Sequence, residues 1–177
     1  MRALLFDTET TDLIHNSLIS DKTQPRIIEF YGHVIEDDGT VLDQLEFRCN
    51  PGIRIPPKIT EITGISNADV NDKPPFRHRV PEIQRLMNWA DAVVAHNLAY
   101  DYAVVNQEMK RMGSELKWPK IKVCTVQETE WFKGFRLSLS NLHEHLFGEG
   151  FENAHRAKND VDALTRCWLH MRKTGDV

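Results

Sequence analysis

Two β-rich runs joined by an Asp-Gly turn are the feature that most constrains the fold of this 177-residue chain. The runs are RIIEFYGHVIE (26–36) and VLDQLEFRC (41–49), and the DDGT between them is typical of a hairpin turn. An apolar run at 2–8 predicts a buried strand before the hairpin, and NPGIRIPP (50–57) cannot continue a central strand because proline lacks a backbone donor. Three strands therefore come first along the chain.

The second half of the chain alternates helices with strands. Residues 81–90 carry apolar side chains at the spacing of an amphipathic helix, and AVVAHN (92–97) predicts a short buried strand. A helix follows with Val105, Met109 and Met112 in its apolar stripe. The remaining predicted elements are a strand at 121–125 and helices at 137–147 and 157–171. This order predicts an α/β fold, with a five-stranded mixed sheet of an antiparallel hairpin and parallel strands, flanked by helices.

Composition is that of a soluble globular protein. Apolar residues make up 41% and charged residues 27%, and the length suits one domain over 1–177. The three cysteines lie far apart, which argues against a disulfide scaffold and favours a reducing, cytoplasmic location. The start MRALLFD is too short for a secretory signal, and no run is long enough to span a membrane. A net charge of −4 argues against a nucleic-acid binder that relies on a basic surface.

Four carboxylates lie on rows that should face the core. Asp7 and Glu9 share a strand face with the apolar residues before them, Asp101 heads the stripe of its helix, and Asp160 falls within the apolar stripe of the last helix. Singly, each has an ordinary explanation as a helix cap, a rim ion pair or a strand end. A buried carboxylate costs several kcal/mol, however, unless it is paired, protonated or bound to a metal.

The positions of these carboxylates favour a shared site. Asp7 and Glu9 end the first strand and Asp101 follows AVVAHN, so parallel pairing of these strands would bring them to one sheet edge. Carboxylate oxygens attract hard divalent cations, Mg²⁺ or Mn²⁺, and two such ions would offset four negative charges. His155 lies five residues before Asp160, and we place it in the preceding loop as a base toward water.

Three motifs carry a resemblance to a known family. They are F-D-T-E-T-T (6–11), A-H-N-x-x-x-D (95–101) and H-R-A-x-x-D (155–160). Together they resemble the exonuclease motifs of the DnaQ-like proofreading nucleases, in the subgroup with a histidine in the third motif. PPKITEITGIS (56–66) and KPPF (73–76) resemble the segment that wedges the terminal nucleotide in that family.

The resemblance implies a ribonuclease-H-like fold and a two-metal reaction that removes 5′-mononucleotides from a 3′ end. It implies that Asp7 bridges both metals, that Glu9 and Asp160 complete one metal site, and that Asp101 supports the other. His155 is then the general base. The implied substrate contacts come from six residues, namely Thr8, Thr10, Lys58, Ile62, Asn97 and Tyr100.

Some positions differ from the family pattern or have two interpretations. Asp12 replaces a usual glycine, Lys58 replaces a glutamate that reaches the terminal sugar, and the loop 12–25 is longer than usual. Basic residues near the motifs either line a substrate path or form a solvated surface, and these are Lys58, Arg77, Arg79, Lys133, Arg136, Arg156 and Lys158. Three aromatic residues either stack bases or, as we favour, pack in the core, and these are Trp118, Trp131 and Phe135.

Four functions compete at this point. The leading hypothesis is a metal-dependent 3′→5′ exonuclease on single-stranded or frayed DNA ends, with a DNA polymerase as a transient partner and no membrane. The second is an RNA-trimming exonuclease or oligoribonuclease of the same fold, because the sequence does not show the pocket for the 2′-hydroxyl. The third is an inactive nuclease fold that binds nucleic acid or a polymerase, and the fourth is a purely structural acidic cluster.

Overall fold

The computed structural model describes residues 1–15, 24–134, 136–152 and 154–176. The strands are β1 (Ala3–Thr10), β2 (Ile27–Ile35), β3 (Val41–Arg48), β4 (Ala92–Ala95) and β5 (Ile121–Cys124). The helices are α1 (Pro57–Thr63), α2 (Asn67–Val70), α3 (Val80–Trp89), α4 (Leu98–Arg111), α5 (Thr125–Lys133), α6 (Leu139–Phe147) and α7 (Ala157–Thr174), with a 3₁₀ turn at Phe76–Arg79.

The strands form one mixed sheet in the order β3-β2-β1-β4-β5. Strand β1 pairs antiparallel with β2, and β2 with β3, so the hairpin prediction is confirmed. The turn between β2 and β3 contains Gly39 at φ 89°, a left-handed conformation that glycine adopts without strain. Strand β1 pairs parallel with β4, and β4 with β5, which confirms the predicted five-stranded mixed sheet.

Strand β1 separates two hydrophobic layers because its side chains alternate between the sheet faces. Ala3 and Leu5 pack with Leu164 and Trp168 of α7, whereas Leu4 and Phe6 belong to the larger core under α3 and α4. The side chains of Asp7 and Glu9 continue the row of Ala3 and Leu5 toward the start of α7.

Helices α1, α2 and α5 were not predicted. Helix α5 follows β5 without a connecting loop, and its sequence TVQETEWFK contains no helical row of apolar residues. Helix α1 begins with Pro57 in its first turn and ends at Gly64, which has φ 70°. The sequence predicted no element at 57–70, because two short helices contain too few residues for a periodic pattern.

The cysteines at 49, 124 and 167 are buried and free. Among the described residues, no helix combines the length and the apolar character needed to cross a bilayer. Residues 16–23 of the loop 12–25 and Phe135 lie outside the described residues, as do the side chains of Trp131 and Lys133.

Candidate active site

Three carboxylates from two elements meet at the end of β1. Asp7 and Glu9 come from β1, and Asp160 comes from the first turn of α7. One oxygen atom from each side chain lies within 4.8 Å of the others, and all three residues are partly buried. This spacing suits oxygen atoms that share a divalent cation.

Asp101 is the fourth carboxylate, and it lies beside the other three because β1 and β4 are parallel neighbours. It is 3% exposed in the first turn of α4. Its Oδ1 accepts hydrogen bonds from the Thr8 backbone N at 3.1 Å and from the Thr8 Oγ1 at 2.7 Å. The amide and hydroxyl of Thr8 therefore hold Asp101 in place.

Burial and mutual repulsion raise the pKa of every member of this cluster. Burial, followed by the charges of Asp160 and Glu29, raises the pKa of Glu9 to about 8. Burial raises the pKa of Asp160 to about 6 and that of Asp101 to about 7, although the hydrogen bonds from Thr8 oppose the rise at Asp101. The pKa of Asp7 rises well above its ordinary value through burial and the nearby charge of Asp101.

The donor set fits hard divalent cations. All the grouped donors are carboxylate oxygens, and burial together with repulsion from the neighbouring acids raises the pKa of Glu9 to about 8. A bound cation would remove that repulsion.

His155 stands at the mouth of the cluster. It adopts φ 67°, a left-handed conformation uncommon outside glycine, and directly precedes Arg156, the residue that flanks the start of α7. Its exposed side chain and the carboxylates of Asp7, Glu9 and Asp160 line one cavity of about 590 Å³. An imidazole at this position can exchange a proton with a water molecule in the cavity.

Residues 136–140 form a further wall of the cavity, and His96, which directly follows β4, connects this wall to the sheet. The His96 Nε2 lies 3.0 Å from the carbonyl oxygen of Leu137 and therefore donates to it. The Nδ1 lies 2.9 Å from the Thr125 Oγ1, which donates to it in the neutral ring. Burial lowers the pKa of His96 to about 4, so the ring stays neutral at pH 7. This bridge was not predicted, although His96 belongs to the second motif.

The six predicted substrate contacts fall into three places. Thr8 and Asn97 line the cavity, and Asn97 has φ 71° just before α4. The Thr10 Oγ1 lies 2.5 Å from the Tyr100 hydroxyl, and both oxygen atoms lie near the carbonyl oxygen of Asp12, at 2.9 Å and 2.8 Å. One of the two hydroxyls therefore donates to that carbonyl and the other donates to its partner hydroxyl. The two remaining residues, Lys58 and Ile62, lie one turn apart on α1 with exposed side chains.

The basic residues differ in how far they are already paired. Arg79 forms an ion pair with Glu82 at 3.1 Å, and Lys158 pairs with Asp162 at 2.6 Å. Arg136 is exposed and lines the cavity. Of these basic residues whose side chains the structure describes, Arg136 is the one that lines the cavity.

The aromatic prediction can be checked at Trp118. Its ring packs against Phe6 at 5.9 Å and Tyr102 at 4.7 Å between ring centroids, and its Nε1 donates to Asn106. Trp118 thus packs against the larger core, as favoured from the sequence.

Glu29 is a buried acid that the sequence analysis missed. It is 3% exposed on β2, opposite Glu9 in the strand register. Its two oxygen atoms accept hydrogen bonds from Arg48, from Arg156 and from the backbone N of Ala157. The sequence feature that could have indicated it is a single glutamate within β2, a strand whose nine residues are all buried in the structure.

Comparison with known proteins places this site in a family. The sequence model of the exonuclease family, RNase_T, matches residues 4–167. A DNA polymerase III PolC-type protein of Clostridium perfringens is 32% identical over 160 residues, which are 90% of this chain and 10% of that protein. The 3′-5′ exonuclease DinG of Bacillus subtilis is 32% identical over 173 residues, which are 96% of this chain and 17% of that protein.

A solved structure has the same fold. The nuclease domain of 3′hExo, described as a DEDDh family member bound to rAMP, superposes with a TM-score of 0.78 at 15% identity. The match covers 98% of this chain and 92% of that one. The chain spans only a small part of the length of the two sequence relatives, but the family model covers most of the chain. The protein belongs to the DnaQ-like exonuclease family.

Proposed function

We propose that the protein is a 3′→5′ exonuclease that releases 5′-mononucleotides from single-stranded or frayed DNA ends with the help of two divalent cations, Mg²⁺ or Mn²⁺. The observation that carries the proposal is the meeting of three carboxylates and His155 in one cavity at the end of β1. Membership of the exonuclease family supports the same reaction.

The four carboxylates would hold the cations. Asp7, Glu9 and Asp160 offer the grouped oxygen atoms that would bind them. Asp101 would contribute the oxygen that Thr8 does not occupy. When bound, the cations would supply Lewis acidity to the phosphate oxygens and to the attacking water.

The residues of the chain then position and move a proton. His155 accepts a proton from the attacking water, and the water oxygen forms a bond to phosphorus while the bond from phosphorus to the leaving 3′-oxygen breaks. The leaving oxygen takes a proton from solvent, and the products are a 5′-mononucleotide and a shortened strand. The wall of residues 136–140, held by His96, borders the place where the substrate would bind.

The terminal nucleotide would lie between the cavity and α1. Asn97 and Thr8 border the cavity, while the linked hydroxyls of Thr10 and Tyr100 form a polar edge beside it. Ile62 is 44% exposed, as expected for an apolar side chain that packs against a base. Lys58, one turn earlier, would approach the terminal sugar or its phosphate.

The names of the relatives support DNA as the substrate. One relative is named a DNA polymerase, which also supports a DNA polymerase as a transient partner. The structural neighbour bound to rAMP supports RNA as the second candidate. A binding module without activity is disfavoured, because all four carboxylates and His155 are present and grouped at one sheet edge.

The test uses matched DNA and RNA strands labelled at the 5′ end, with and without Mg²⁺. We expect a Mg²⁺-dependent ladder that shortens from the 3′ end, faster on DNA. A faster RNA ladder would replace DNA with RNA as the substrate. Absence of a ladder on both strands, with calorimetry showing that Mn²⁺ binds, would favour the binding module instead.

A further inference from the structure

Glu29 lies next to the carboxylate cluster without belonging to it. In the sheet, Glu9, Glu29 and Arg48 are cross-strand neighbours on three adjacent strands, so their side chains stand in one row. Glu29 is therefore the cross-strand neighbour of Glu9, but its oxygen atoms are not among the grouped oxygen atoms of Asp7, Glu9 and Asp160.

The contacts of Glu29 show what it restrains. Its Oε1 accepts from Arg48 Nε at 3.0 Å and from Arg156 Nη2 at 3.2 Å. Its Oε2 accepts from Arg156 Nε at 3.4 Å and from the Ala157 backbone N at 3.2 Å. The Glu29 carboxylate thus binds Arg156 through two guanidinium nitrogens, a geometry that fixes the guanidinium plane.

The same carboxylate caps α7 from a distant strand. Arg156 flanks the start of the helix, but its side chain makes no capping hydrogen bond. Glu29 supplies the missing acceptor for the amide of Ala157 and places a negative charge at the positive end of the helix dipole. His155 directly precedes this anchored turn, and Asp160 lies within it.

Arg156 would be a competitor for the cations if it were free. Arg156 directly follows His155 in the chain. If it were released from Glu29, its long side chain could turn to Glu9, which is the cross-strand neighbour of Glu29, or to Asp160. An arginine paired with either acid would occupy oxygen atoms that a cation needs.

We propose that Glu29 is a positioning residue that holds Arg156 away from the carboxylate cluster and anchors the first turn of α7. This inference rests on the proposed metal-dependent function and extends it by one residue. Glu29 keeps Glu9 and Asp160 available to divalent cations while satisfying two arginines and one helix amide. It does not itself contact the substrate.

The test measures Mn²⁺ affinity by isothermal titration calorimetry, which does not depend on nuclease activity. Glu29→Gln keeps a hydrogen-bond acceptor but removes the charge that holds Arg156. We expect it to weaken Mn²⁺ binding by about tenfold or more, the range usual for residues that support metal ligands. The double variant Glu29→Gln with Arg156→Gln should regain most of that affinity, because the competing cation is gone.

Glu108→Gln is the matched control. Glu108 is 7% exposed and is also held by two arginines, Arg26 and Arg111, but on α4. It should lose stability and keep its Mn²⁺ affinity. If Glu29→Gln does not fold, Arg156→Gln is compared with the double variant, and equal Mn²⁺ affinity of these two would support the inference.

Two outcomes would overturn the inference while leaving the proposed function intact. The first is a Glu29→Gln variant that binds Mn²⁺ with wild-type affinity. The second is a double variant that binds Mn²⁺ no better than Glu29→Gln does. If Glu29→Gln does not fold, the second outcome is a double variant that binds Mn²⁺ more weakly than Arg156→Gln does. Failure of the wild-type protein itself to bind Mn²⁺ would instead refute the proposed function and remove the basis of this inference.

Discussion

Replacing Glu9 with glutamine should stabilise the metal-free protein at alkaline pH. The pKa of Glu9 rises from 4.5 to about 8, because burial and the charges of Asp160 and Glu29 penalise its ionised form. The folded state therefore binds more protons than the unfolded chain between these two values. By linkage, the free energy of unfolding then falls as the pH rises from about 4.5 to about 8.

The magnitude follows from the same two values. At pH 8 the buried Glu9 lowers the free energy of unfolding by up to about 4 kcal/mol, which is about 1.4 kcal/mol for each pH unit between 4.5 and 8. Residual solvent around this partly exposed side chain reduces the expected gain to about 3 kcal/mol. For a chain of this size, that corresponds to a rise in Tm of about 6 to 12 °C. At pH 5 the gain should be under about 1 kcal/mol.

The assay is thermal unfolding at pH 5 and pH 8, in EDTA and in saturating Mg²⁺. In EDTA, Glu9→Gln should exceed the wild-type Tm at pH 8 and nearly match it at pH 5. Added Mg²⁺ should raise the Tm of the wild type more than that of the variant, because the variant offers one anionic ligand fewer. The exposed Glu115 provides the control, and Glu115→Gln should change stability by less than about 0.5 kcal/mol. A variant no more stable than the wild type at pH 8 in EDTA would refute the electrostatic reasoning.

Three further substitutions test the assigned roles. His155→Ala should slow hydrolysis by about a hundredfold or more while calorimetry shows unchanged Mn²⁺ binding, and an equal loss of metal binding would argue against a general base. Asp7→Ala should abolish both activity and Mn²⁺ binding, so near-normal turnover would exclude the bridging role. Thr8→Val removes the hydroxyl that donates to Asp101 at 2.7 Å, and urea unfolding should show a loss of about 1 to 2 kcal/mol. An unchanged midpoint would show that this hydrogen bond adds no stability.

The sequence could predict the carboxylate cluster because two simple periodicities determine it. Strand alternation places Asp7 and Glu9 on the side of β1 that faces α7, and helical spacing places Asp160 on the buried face of α7. For Asp101 to join the other acids, β1 must also pair parallel with β4. The order of the elements favoured this pairing, and the strand register in the structure shows it. Local patterns were sufficient because each acid belongs to a regular element.

The missed features depend on contacts between distant parts of the chain. Arg156, which binds Glu29 just before α7, is 127 positions away from it, and no local pattern connects Arg156 to β2. The neutral bridge of His96 to Leu137 likewise depends on how the cavity wall folds back over β4. Helix α5 has no apolar periodicity and follows β5 directly, so chain geometry rather than hydrophobic spacing determines it.

The proposed function requires that a protein with a net charge of −4 accept a polyanion. The acids that face the cavity are concentrated in one place, where burial and neighbouring acids raise their pKa values, and bound divalent cations would offset their negative charge. Arg136 also lines the cavity. Under the proposed mechanism, positive charge would reach the cavity from bound cations and from Arg136 rather than from a basic surface, and we expect phosphate to bind to the metal-loaded protein.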